Sequence, residues 1–190
     1  MHARLATQDD LPQIKSLFKA IVKNMDTQGI QIWDDIYPCE FFAEDIECER
    51  LYVLEMPNDV NTNSNPYEYD ASKPTTSSSI LVAAFALCGE PENAHCVQWQ
   101  ERDAEALYLY RLGVSVEHGR RGVGARALEK AATLARQLGA EYLRLFVVDV
   151  NEPAINLYLK SGYHKVAGIR DEPLGDVVLK EYGFELNLAL

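Results

Sequence analysis

The most constraining stretch of this sequence runs from Leu112 to Ala125, Leu-Gly-Val-Ser-Val-Glu-His-Gly-Arg-Arg-Gly-Val-Gly-Ala. An apolar strand pattern over residues 106–116 passes through a glycine-rich turn straight into a helical pattern. From residue 122 to 138, Val123, Ala127, Leu128, Ala131, Leu134, Ala135 and Leu138 share one face, and Gly139 stands where a helix C-cap belongs. A second strand pattern follows at once over 142–148, where Leu143, Leu145 and Val147 alternate with Tyr142, Arg144 and Phe146. Strand, helix and strand in this order require a parallel crossover within a sheet.

The flanking patterns extend that sheet. Residues 2–6 form a short strand, and Thr7 then N-caps a helix on which Leu11, Ile14, Leu17, Phe18, Ile21 and Val22 recur at helical spacing. Ile32, Trp33, Ile36 and Tyr37 suggest a helical turn stopped by Pro38, with another at Phe41, Phe42, Asp45 and Ile46. Residues 51–56 and 80–88 read as strands. A short helix over 153–160 is stopped by Gly162, and two further strands follow near 163–169 and 182–188. The expected fold is mixed α/β (α+β), a twisted mixed sheet of six to seven strands flanked by about four helices, in one domain over 1–190. Between two strands, residues 57–79 are rich in Asn, Ser, Thr and Pro and almost free of aliphatic side chains. Such a segment buries too little apolar area to offset its ordering entropy, so it is expected to be a flexible surface insertion.

Composition narrows the partners. The 190 residues carry a formal net charge of −11, and an acidic surface repels phosphate backbones, which argues against nucleic acid. The N-terminal residues lack the apolar core of a signal peptide, and no apolar run reaches membrane-spanning length, so a cytoplasmic protein without a membrane partner is expected. Cys39, Cys48, Cys88 and Cys96 form no Cys-x-x-Cys pair and have no His at a metal-finger spacing, so reduced thiols and no metal are expected.

The glycine-rich turn carries the chemistry. Gly119, Gly122 and Gly124 allow a ligand to approach the backbone closely, and the first N–H groups of the helix have no internal acceptor. With the helix dipole added, a pyrophosphate is the natural guest, and Arg120 and Arg121 stand ready at its rim. Ala125-Arg126 follows where a P-loop needs Lys-Ser or Lys-Thr. Asp149 arrives too late for the acidic residue that a dinucleotide fold places about 20 residues beyond its glycines.

The segment resembles the acetyl-CoA-binding signature of the GNAT superfamily of N-acetyltransferases, Gln/Arg-x-x-Gly-x-Gly/Ala. Gly122-Val123-Gly124 supplies its second half, while Gly119 stands at its first position. A second stretch, Asn151-Glu152-Pro153-Ala154-Ile155-Asn156-Leu157-Tyr158 with Ser161-Gly162-Tyr163 after it, resembles that family's later motif. The resemblance implies that acetyl-CoA is the acyl donor, and that Gly119, Arg120, Arg121, Gly122, Val123, Gly124 and Ala125 hold its pyrophosphate. It also implies two splayed strands with the pantetheine arm between them, paired with backbone groups of Leu112 and Val114. Asn151 would bond to the cofactor, and the Tyr158 hydroxyl would lie near its sulfur as the catalytic acid.

A neutral amine would then attack the thioester carbonyl directly. Lysine-type amines have a solution pKa of about 10.4, so a base or a desolvating channel must uncharge the nucleophile. No base is assignable from sequence: Tyr108 stands where some relatives keep a glutamate, and a water chain serves equally well. Trp33, Asp34, Asp35 and Tyr37 offer the makings of an ammonium site, although core packing of the two aromatics with solvated aspartates is the better expectation. The acceptor is expected to be a small-molecule or peptide amine, and a homodimer stays open as an assembly. A non-catalytic acyl-CoA sensor on the same fold is the competing reading.

Overall fold

The computed structural model describes residues 1–34, 36–57, 79–119, 121–174 and 177–189. The chain opens with β1 (His2–Leu5) and, after a 3-10 turn at Gln8–Asp10, α1 (Leu11–Thr27). The apolar spacing of α1 buries Ile14, Phe18, Ile21 and Val22, each worth about 1.5–3 kcal/mol on removal from water. Ile32, Trp33 and Asp34 do not enter a helical turn. Asp34 Oδ1 accepts the backbone N–H groups of Ile36 and Tyr37, each at 2.7 Å, as an N-cap does, and the turn follows it with Glu40 N–H donating to the Ile36 carbonyl at 3.0 Å. A six-residue helix, α2 (Phe42–Glu47), follows the turn at Pro38.

β2 (Leu51–Pro57) and β3 (Ser79–Cys88) pair antiparallel up to Pro57 opposite Ser79. The expected insertion between them lies outside the described residues apart from those two end positions. A two-residue strand, β4 (Val97–Gln98), precedes β5 (Ala106–Val114). β5 ends two residues short of its sequence pattern, because residues 116–118 turn into a 3-10 helix. α3 (Val123–Gln137), β6 (Tyr142–Val148) and α4 (Glu152–Lys160) then follow as expected.

The final strand pattern divides. Residues 163–169 yield β7 (His164–Lys165) and β8 (Ala167–Gly168), which belong to different sheets. β9 (Arg170–Leu174), invisible as a strand in the sequence, hairpins with β10 (Val177–Asn187). The large sheet has eight strands in the order β1-β2-β3-β5-β6-β10-β7, with β9 also on β10, and β4 pairs β8 in a second small sheet. Among the described residues the mixed architecture and four helices agree with the expectation, and β9 takes the sheet from the seven expected strands to eight.

Side-chain alternation assigns the two faces. Tyr52, Phe85, Leu109, Leu143, Leu145, Val147 and Phe184 join the cluster that includes the buried residues of α3 and α4. Leu51, Val53, Ala84 and Ala86 face α1 and α2. On this second face Trp99, Tyr108 and Val166 form a further cluster, with Tyr110 and Phe146 against it. Among the described residues no helix is long and apolar enough to cross a membrane.

Candidate active site

β5 and β6 are parallel partners for only three residue pairs, Ala106 with Tyr142, Leu107 with Leu143 and Tyr108 with Arg144. β5 runs six residues further, to Val114, while β6 continues to Val148 on its other partner, β10. Beyond Tyr108 the two strands therefore part, leaving a wedge with Leu112 and Val114 on one flank. A bulge in β5 accompanies the parting: Ala84 opposes Gly113 while Ala86 opposes Tyr110, so three steps on β5 match two on β3. Arg111, inside the bulge, has φ +51°.

The closed end of the wedge is stapled. Arg144 is 2% exposed, and its guanidinium lies 4.9 Å from the Trp99 ring and 5.4 Å from that of Tyr142. It donates to the Glu101 carbonyl and, at 3.4 Å, to Glu185. Tyr108 stacks with Phe146 at 6.3 Å and meets Trp99 edge-on at 5.8 Å. The Tyr108 hydroxyl is buried without a hydrogen bond.

At the open end stands the N-terminus of α3. Gly122 is its N-cap at φ +74°, a conformation that favours glycine, with nothing within 4 Å of an added Cβ. The first i→i−4 bond of α3 runs from Arg126 N–H to the Gly122 carbonyl, 3.1 Å. The N–H groups of Val123, Gly124 and Ala125 precede it, and glycine offers no side-chain cap to satisfy them. Gly119, Arg121 and Ala125 are exposed around this end, while Arg120 lies outside the described residues. A Cβ on Gly124 would meet Leu157 Cδ2 of α4 at 2.9 Å, so this glycine also sets how closely α3 approaches α4. Uncapped donors, a positive helix end and an adjacent strand wedge fit the phosphates and arm of a coenzyme A thioester.

α4 carries the second motif. Asn151 is its N-cap, and its Oδ1 accepts the Ala154 N–H at 3.3 Å. Tyr158 is buried against Tyr163 and Phe184, with ring centroids at 5.8 and 6.0 Å. Burial drives its pKa well above the ordinary tyrosine value, which keeps the hydroxyl protonated. That hydroxyl has no hydrogen bond among the described residues.

The acceptor residues suggested by sequence separate. Trp33 packs on Phe18 at 5.6 Å and on Tyr37 at 6.4 Å, and Asp34 is spent on its turn, while Asp35 lies outside the described residues. Tyr37 lies within electrostatic range of Arg111, Glu181 and Glu172. Sequence reading did not single out Arg170, Glu172 and Glu181, which gather around one guanidinium beside Phe146 of β6. Their signal was charge inside strands, the feature that makes a buried Arg144 or Glu185 informative as well.

A cleft between a parallel strand pair, closed at one end and bordered by an uncapped helix N-terminus at the other, defines an acyl-CoA-dependent N-acyltransferase. A family model described as Acetyltransferase (GNAT) family matches residues 34–163, and the chain belongs to that family. No curated protein matches the chain. Among solved structures, a GNAT-family acetyltransferase of Streptococcus agalactiae is similar at 18% identity and TM-score 0.74, over 98% of this chain and 94% of that one. The ribosomal-protein-S18-alanine N-acetyltransferase of Escherichia coli is similar at 17% identity and TM-score 0.58, over 100% and 94%. YncA of Salmonella typhimurium, solved with its cofactor acetyl-CoA, is similar at 12% identity and TM-score 0.58, over 98% and 93%.

Proposed function

We propose that this protein transfers the acetyl group of acetyl-CoA to a primary amine by direct attack. The observation that carries this reading is the wedge that opens between β5 and β6 beyond Tyr108 and Arg144, beside the uncapped start of α3. The N–H groups of Val123, Gly124 and Ala125 would hold the pyrophosphate, with Arg121 and Arg120 at the rim. Backbone groups of Leu112 and Val114 would align the pantetheine arm, and Asn151, whose Oδ1 already caps α4, retains an amide NH₂ for the cofactor. The thioester supplies an activated acetyl carbonyl and a thiolate leaving group, since free thiols have a pKa of about 8.5. The N–H of Val114 would polarise that carbonyl. Tyr158, kept protonated by its burial, would donate the proton that the departing sulfur needs. The solved relatives support the cofactor and the amine class: one holds acetyl-CoA, and another is named for acetylating an alanine amino group.

The test is release of free coenzyme A thiol from acetyl-CoA, with benzylamine, tyramine, spermidine and an alanine-started tripeptide as acceptors. Thiol release that depends on an amine, with the N-acetyl product identified by mass, supports the reading. Thermal stabilisation by acetyl-CoA without release for any amine would instead make the protein a sensor.

A further inference from the structure

Resting on the amine-acceptor reading, we propose that Glu181 is the general base that takes the proton from the acceptor's ammonium group, and that Arg170 positions it. Glu181 lies on β10 opposite Val148, the last residue of β6, beyond the closed part of the wedge. Strand alternation puts Glu181 with Gly183 and Glu185 on the face away from α3 and α4. A donor entering beside the start of α3 and an acceptor entering from this face would meet in the wedge.

Arg170 joins the two flanks. Its guanidinium lies 4.3 Å from the Phe146 ring of β6 and within interaction range of the Tyr110 hydroxyl of β5. On β9 it donates to Glu172 Oε2 at 2.7 Å. Its Nε stands 2.9 Å from Glu181 Oε2, an ion-pair distance reached without hydrogen-bond alignment, so both atoms remain without a hydrogen bond. Arg170 Nη1 is buried without a partner too. Two carboxylates thus share one guanidinium, beside Phe146 of β6 and Tyr110 of β5, the strands that flank the wedge.

The other buried acidic groups are committed elsewhere. Asp45 is held by Arg50 and Arg111, each at 2.6 Å. Glu185 accepts the Gln100 N–H at 2.8 Å and the Arg144 guanidinium. The charged and titratable groups facing Glu181 are Arg170 and Glu172 of β9, Tyr110 of β5, and Tyr37 from the segment before α2. Burial raises the Glu181 pKa above the ordinary carboxylate value, with Arg170 opposing. A base is more effective as its pKa rises towards the working pH.

The step balances as follows. The acceptor arrives as an ammonium, and the Glu181 carboxylate takes one of its three protons. The freed lone pair forms the C–N bond at the thioester carbonyl. The C–S bond breaks with its electron pair on sulfur, and the thiolate gains a proton from Tyr158. The second nitrogen proton is relayed to the Tyr158 phenolate and restores its hydroxyl, the third stays on the amide, and Glu181 releases its proton to solvent. One proton is produced for each amide formed.

The experiment compares wild type with Glu181→Gln on the same four amines, and on benzhydrazide, which is already neutral at neutral pH. The substitution should lower kcat/KM for the amines by about 10²- to 10⁴-fold and abolish the acidic limb of its pH profile. Benzhydrazide should lose far less, and stabilisation by acetyl-CoA should be unchanged. In the free protein, infrared titration should show a carboxyl band with a pKa above the ordinary value of about 4.3, absent in Glu181→Gln. Arg170→Lys should move the acidic limb without removing it. If Glu181→Gln does not fold, the double variant Arg170→Gln with Glu181→Gln, neutral at both positions, should show the same loss. Amine acetylation retained with the wild-type pH profile overturns the assignment alone. No acetylation by wild type overturns the functional reading and the assignment together.

Discussion

Arg111, at the bulge of β5, drives its guanidinium onto Asp45 of α2, a carboxylate with no exposed surface, at 2.6 Å. Arg50 reaches the same carboxylate at 2.6 Å, and the Phe41 ring lies 5.1 Å from the Arg111 guanidinium. The bulge that opens the wedge is thereby anchored to α2. Removing one partner of a buried pair leaves its counter-charge uncompensated. Asp45→Asn should therefore cost about 3–5 kcal/mol, read as a lower denaturant midpoint at unchanged slope. Glu44→Gln should cost under about 1 kcal/mol, because that carboxylate meets Arg50 at the surface.

Gly124 and Leu157 define a second contact to test. Gly124→Val drives a bulky group into Leu157 and should destabilise by about 1–3 kcal/mol. Adding Leu157→Ala should restore most of that loss. The main-chain N–H groups at the start of α3 survive in the double variant, so stabilisation by acetyl-CoA should return with the fold. Thermal melts with and without acetyl-CoA separate the two roles. A restored melting temperature without ligand stabilisation would mean that residue 124 faces the ligand directly.

How much of this was legible in the sequence depends on the range of the interaction. α1, α3, α4 and β6 could be read directly, because helical periodicity, caps and glycine stops are local signals. The turn expected to include Ile32 and Trp33 starts later, after Asp34, whose Oδ1 accepts the Ile36 and Tyr37 N–H groups as an N-cap does. Residues 163–169 failed because Val166 donates its N–H to Gly183 while Ala167 and Gly168 pair with β4, a division set by distant strands. At the site, the glycine turn announced itself through spacing. The mouth formed by Tyr110, Arg170, Glu172 and Glu181 did not, because its members converge only through the β9–β10 hairpin and the Arg170–Phe146 contact.

Burial also makes alkaline pH destabilising. It raises the pKa of Tyr110 to about 12 and that of Tyr158 and Tyr163 further. The folded state thus holds protons that the unfolded chain gives up near pH ~10. Stability from these tyrosines is fully present below that pH and is lost as pH rises through the folded-state values. Unfolding midpoints should be flat from neutral pH to about 9, then fall. Tyr163→Phe should shrink the fall, since it also removes a buried hydroxyl without a hydrogen bond.

Tyr158→Phe keeps the ring against Tyr163 and Phe184 and removes only the hydroxyl. As the proposed proton donor to sulfur, that hydroxyl should be worth about 10²- to 10⁴-fold in kcat, with KM for acetyl-CoA changed little. Melting temperature should hold within the small shift expected for one hydroxyl without a hydrogen bond. Single-turnover kinetics checks that chemistry, and not product release, limits the rate. An unchanged single-turnover rate removes Tyr158 from proton transfer.

The connection between β2 and β3 offers the last test. Pro57 and Ser79 are register partners, so the two strands already lie at hairpin distance where residues 58–78 join them. A two-residue Asn-Gly loop in place of 58–78 matches the twist of an antiparallel pair. Loop-closure entropy changes by about 0.6 kcal/mol per doubling of length, so this shortening should raise stability by up to about 2 kcal/mol. The shortened protein should keep its stabilisation by acetyl-CoA, because the α3 N-terminus and the wedge lie on other elements. Limited proteolysis of the full chain should cut first within 58–78, given its polar, aliphatic-poor composition. A fall of several degrees in Tm after shortening would show that residues 58–78 contribute packing that their composition does not suggest. Unchanged Tm with a raised KM for the amine alone would assign the segment to acceptor binding.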